Sequence, residues 1–140
     1  MFPPPRPWKQ VSPPDPEREY VAFTSRFFLK SALRVPAFAR QSTKIIKQAD
    51  SAPGIVGWSL GAHLPKLEFY TLSAWEDADS LRTFIQSGDH GEALDKFADA
   101  MRADSIFVQF NVLGKDLPLR WSDAVALQNA QTDAAARPHP

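Results

Sequence analysis

The chain has 140 residues, a mass of 15.6 kDa, 16 basic against 16 acidic residues and no cysteine. That length allows one domain with its own core, and the balanced, interspersed charge offers no basic track for a phosphate backbone. Without thiols there are no disulfides, no thiolate nucleophiles and no sulfur-ligated zinc.

Seven of the first 16 residues are proline, which cannot donate to a ladder or sit inside a helix. Residues 1–16 are therefore expected to form an extended arm, anchored by Phe2 and Trp8 if it docks and a disordered leader if it does not. The N-terminus has no apolar signal core, and no apolar run approaches the roughly 20 residues of a membrane span. The expectation is a soluble cytoplasmic protein with no nucleic-acid partner and no membrane span.

Residues 19–29 are rich in aromatic and β-branched side chains and predict a first strand. Val35, Phe38, Ala39, Ser42, Ile45, Ile46 and Ala49 recur at helical spacing, with Pro36 in the first turn, and predict a helix over 35–50. Pro53-Gly54 suits a type II turn launching a strand over 55–63. Leu64-Pro65 breaks that strand, and 67–75 resumes as its antiparallel partner. Asp77 can cap a helix with Ala78, Leu81, Phe84 and Ile85 on its apolar face. Gly88 stops that helix, and Asp89 with Glu92 can cap a continuation whose stripe is His90, Leu94, Phe97, Ala98 and Met101. A last strand follows over 105–113 and a short helix over 122–128, leaving 129–140 as a flexible tail behind a domain spanning 17–128.

The order β-α-β-β-α-β is the ferredoxin-like motif, an α+β fold in which a four-stranded antiparallel sheet is covered on one face by two helices. Both faces of the first and last predicted strands carry apolar side chains, which predicts a second copy packed sheet to sheet in a homodimer. The element order, the Pro53-Gly54 turn, the Thr71-Leu72-Ser73-Ala74-Trp75-Glu76-Asp77 segment and the helix with Phe84 and His90 resemble the dimeric α/β-barrel superfamily. Within it, the resemblance is to the antibiotic-biosynthesis-monooxygenase-like branch and relatives of spheroidene monooxygenase, and covers residues 19 to about 128. It implies a monooxygenase-like oxidoreductase acting on a small aromatic or polyene compound in a cavity between sheet and helices, without a bound metal or flavin. Haem-degrading members carry an asparagine on the first strand and a Trp/His pair on the second helix; those helical positions fall near Phe84 and Leu94, and 19–29 holds no asparagine. That mechanism does not transfer, which leaves a haem-binding protein with His90 as ligand, or a non-catalytic small-ligand module, as the alternatives.

Oxygen insertion without a metal or flavin needs a substrate made electron-rich by losing a proton, and hence a general base. His90 is the candidate base or ligand, against a core histidine bonded to a carbonyl. Arg26, a cation in an apolar strand, either meets an anionic substrate or pairs with a carboxylate such as Glu68. Trp75, Tyr70, Phe84, Phe107 and Asn111 are the candidate substrate contacts, with Gln109 beside Asn111. His63 adjoins a turn and His139 lies in the tail, and no spacing of histidines or acids suits a metal.

Overall fold

The structure, a computed structural model, describes residues 7–136. Phe2, His139 and the last four residues of the expected tail lie outside the described residues. The fold is α+β, with five antiparallel strands: β1 (Lys9–Gln10), β2 (Glu19–Phe28), β3 (Ile55–His63), β4 (Glu68–Trp75) and β5 (Ile106–Leu113). Their order across the sheet is β1-β3-β4-β2-β5. Helices α1 (Val35–Asp50), α2 (Ala78–Gln86) and α3 (Gly88–Phe97) interleave with the strands, and α4 (Trp121–Ala136) closes the chain.

Alternation along the central strand assigns the two faces. Val21, Phe23, Ser25 and Phe27 of β2 stand opposite Trp75, Ser73, Thr71 and Phe69 of β4, and this face receives α1, α2 and α3. Phe27 meets Phe38 of α1 at 5.7 Å between ring centroids, and Trp75 meets Phe84 of α2 at 4.9 Å. Tyr20, Ala22, Thr24 and Arg26 point the other way.

That far face is covered by the same chain. Gln128 of α4 donates through Nε2 to Thr24 Oγ1 at 2.9 Å, Trp121 donates to Ser59 Oγ at 3.3 Å, and the Trp121 ring stands edge-on to Tyr70. Ala22 is already 0% exposed in one chain. Helix α4 thus packs on the face against which the sequence predicts a second copy. The helix is also longer than the sequence predicts: residues 129–136 continue it, because Asn-Ala-Gln-Thr-Asp-Ala-Ala-Ala holds no breaker and alanine is the best helix former. Gln131 ties that extension to the Phe107 carbonyl.

The described part of the proline-rich arm joins the sheet. Lys9 and Gln10 pair with Trp58 and Gly57, Trp8 packs against the cluster of Tyr20, Val56 and Ala74, and Ser12 Oγ donates to the Ile55 carbonyl at 2.8 Å. Lys9 also pairs with Asp50 at 2.8 Å, and that hydrogen bond holds the Asp50 carboxyl below its usual range. Of the two expectations for the arm, its described part follows the docked one, as β1. Deleting residues 1–14 is expected to lower stability by about 2 kcal/mol, chiefly through the lost burial of Trp8. A thermal melt checks this, and an unchanged melting temperature would show that the arm is not held on the sheet.

The Pro53-Gly54 turn forms as expected, with Gly54 at φ 82° and the Ile55 N–H donating to the Ala52 carbonyl. Asp77 caps α2, accepting from the Ser80 N–H at 2.7 Å, and that bond draws its carboxyl below the ordinary value. The α2–α3 junction differs from the expectation in one respect: Ser87, not Asp89, is the residue before α3, and Asp89 sits inside its first turn.

Candidate active site

Between the sheet and the three helices lies a cavity of about 450 Å³, within the range of small-molecule sites. Its floor is the helix-facing side of the sheet, including Phe23, Ser25, Phe27, Thr71, Ser73 and Trp75. Ile45, Ile46 and Phe38 of α1 wall one side, while Phe84, Ile85 and the stripe of His90, Leu94, Phe97, Ala98 and Met101 wall the other. Each member of that stripe, set out by helical spacing in the sequence, lines the cavity. Leu94 and Phe107 are each 46% exposed and also line it, which places its mouth between α3 and β5.

His90 is the one ionisable side chain among the described residues that line this space. Its Nδ1 lies 2.9 Å from the Ile85 carbonyl oxygen. A carbonyl only accepts, so this bond requires a proton on Nδ1 and leaves Nε2 with a bare lone pair. Burial pushes the imidazole pKa below its ordinary value of 6.5, against the opposing pull of the Ile85 carbonyl, so the neutral form prevails at pH 7. The ring packs on Phe84 at 5.1 Å between centroids.

Besides Ser42 on α1 and the Trp58 indole, whose N–H donates to Asp50, the remaining polar groups are hydroxyls on the floor. Ser25 Oγ and Thr71 Oγ1 share a hydrogen bond across the β2–β4 pair. Trp75 Nε1 donates to Ser73 Oγ at 2.9 Å, which occupies the indole N–H and leaves the Ser73 O–H able to donate elsewhere. A proton acceptor on the helix wall thus faces a floor with hydroxyl donors.

The structure brings His90, Trp75, Phe84 and Phe107 to this cavity. It sets Arg26 and Tyr70 on the opposite face: they stand opposite each other in the β2–β4 register, one residue out of phase with the cavity floor. Arg26 donates through Nε and Nη2 to the two oxygens of Glu68 at 3.2 and 3.5 Å, and the Glu68 side chain is 1% exposed. Arg26 therefore lies outside the cavity lining, in the ion pair with Glu68 that the sequence offers as one of its two readings. Tyr70 is buried under Trp121, and desolvation, followed by the Glu68 charge, raises its pKa. Asn111 shares the face of Phe107 but lies exposed near the far end of β5, outside the cavity lining. Sequence reasoning missed Gln41 and Gln48, seven residues apart and so on one side of α1. Gln41, 2% exposed, donates to the Asp89 carbonyl at 2.8 Å. Gln48 bridges the ends of α2 and α3.

The cavity suits some occupants better than others. No group of three or more metal-binding side chains is found among the described residues. His90 Nε2 could serve a haem iron, but no arginine or lysine lines the cavity to pair with haem propionates, so the donor set does not fit that group.

No known family profile matches the sequence, and no curated protein matches it. Solved structures do share the fold. A dimeric ferredoxin-like protein from Thermobifida fusca is 20% identical, with 68% of this chain and 92% of that chain covered and a TM-score of 0.55. An antibiotic biosynthesis monooxygenase is 11% identical over 66% of this chain and 98% of its own, with a TM-score of 0.58. Rv0793 from Mycobacterium tuberculosis is 14% identical over 72% and 96%, with a TM-score of 0.56. At these identities the likeness establishes a ferredoxin-like fold. Among the described residues, no helix is long and apolar enough to cross a membrane.

Proposed function

We propose that the cavity is the active site of a monooxygenase-like enzyme acting on a small, uncharged aromatic or polyene compound, with His90 as general base and no resident metal or flavin. The observation that carries this reading is the solitary ionisable group in an otherwise apolar lining, held as a neutral imidazole with Nε2 free to accept. An anionic ligand would find no cation there. A hydroxylated aromatic meets the inventory best: its hydroxyl donates to His90 Nε2, and a second oxygen accepts from Ser73. Loss of the hydroxyl proton to Nε2 makes the ring electron-rich enough to reduce dioxygen. One oxygen atom then enters the ring carbon, the other leaves as water, and the ring itself supplies the electrons as it becomes a quinone. The neighbour described as an antibiotic biosynthesis monooxygenase lends the reaction class its support.

Oxygen uptake by the purified protein, measured with a set of uncharged hydroxyaryl compounds, tests this. Uptake in step with quinone formation is the expected result. Consumption of carboxylated analogues at the same rate, or no uptake with any compound, would count against the reading.

A further inference from the structure

We infer that Gln48 is a positioning residue for His90, a single amide that joins the end of α2 to the start of α3 and thereby holds the imidazole with Nδ1 on the Ile85 carbonyl and Nε2 available to the cavity. The inference rests on the reading of His90 as the working base and adds the residue that aims it.

Helix ends leave carbonyls at the C-terminus and N–H groups at the N-terminus without intrahelical partners. At the α2–α3 junction both kinds fall within a few residues, because Ser87 is extended and Gly88 turns at φ 58° to begin α3 immediately. Gln48 Nε2 donates to the Phe84 carbonyl at 3.3 Å and to the Ser87 carbonyl at 2.9 Å, and Gln48 Oε1 accepts the His90 N–H at 2.8 Å. An amide is the side chain that can donate twice and accept once here; a carboxylate would set its charge against two carbonyls, and an ammonium could not receive the His90 N–H. A Cβ on Gly88 would come 3.1 Å from the Gln48 amide, so the glycine also leaves room for the clamp. Gln48 therefore grips the residue before Ile85 and the backbone of His90 itself, the two ends of the Nδ1 bond.

Nitrogen-15 NMR of the His90 side chain tests this without turnover. In the wild type the Nδ1–H tautomer is expected to dominate. Gln48→Ala, and the near-isosteric Gln48→Glu, are expected to reduce the tautomer ratio by roughly fivefold, the value of one lost hydrogen bond. Gln41→Ala, which removes a bond to the same helix at Asp89, serves as the control and is expected to lower stability with the tautomer kept. Gln48 variants that fold and retain the wild-type ratio would overturn the inference, as would an equal shift in Gln41→Ala. Should neither Gln48 variant fold, a wild-type His90 carrying its proton on Nε2 overturns it alone, while protonated Nδ1 with slow exchange of the His90 amide supports it. Because the tautomer is read directly, an inactive protein with the expected ratio counts against the base role and leaves the clamp standing.

Discussion

His90→Ala is expected to lower turnover by roughly 10²- to 10⁴-fold, the usual contribution of a positioned base, while the protein stays folded. The same change forfeits the bond to Ile85 and opens a small void beside Phe84, at a cost of about 1–3 kcal/mol. Measuring melting temperature and activity per folded molecule on one preparation separates the two effects; a loss of stability with full specific activity would make His90 a core residue only. The pH dependence has a definite sign. Burial holds the folded-state pKa below 6.5, and the neutral imidazole is the working form, so the rate is expected to rise with pH through a midpoint below 6.5 and then level. Stability follows the same depressed value. Above pH 6.5 folded and unfolded chains both hold a neutral ring; as pH falls from there towards the folded pKa, the unfolded chain gains the proton first and stability declines. His90→Ala should abolish that decline.

Arg26→Met is expected to destabilise the protein by about 2–4 kcal/mol, because it strands the Glu68 carboxylate without its bidentate partner. The figure sits below the value for a fully buried pair because the Arg26 side chain keeps 26% exposure and part of its solvation. The double change Arg26→Met with Glu68→Leu should recover most of the loss, since replacing both charges by apolar groups removes the stranded ion. Chemical denaturation of the four proteins gives the coupling directly. Activity per folded molecule should be unchanged in Arg26→Met; a specific loss of turnover would return Arg26 to the catalytic machinery.

The sequence left two readings of Arg26 open, and the reason lies in the strand itself. Helix α1 was legible because its apolar residues recur every three or four positions and its polar ones do not. The His90 stripe was legible for the same reason. In β2, however, Tyr20, Ala22 and Phe28 on one face balance Val21, Phe23 and Phe27 on the other, so composition did not reveal which face the helices take. The register settles it: Phe107 stands opposite Ser25, so Arg26 and Phe107 do not share a cavity wall. Helix α4 was legible over 122–128, but the face it packs on was not, because its grip on the sheet comes from Gln128, a polar residue whose partner Thr24 is 104 positions away. Gln48 escaped for a similar reason, its value depending on two helix ends that only folding brings together.

In the proposed complex an uncharged hydroxylated ligand sits in the cavity with its proton on His90. Titrating the nitrogen-15-labelled protein with uncharged hydroxyaryl compounds and with their matched carboxylates tests this most directly. A saturable shift of His90 Nε2 is expected with at least one of the neutral compounds, accompanied by shifts at Trp75 and Ser73, and none with the carboxylates. Saturable binding that leaves His90 unmoved, or equal shifts with the carboxylates, would contradict it.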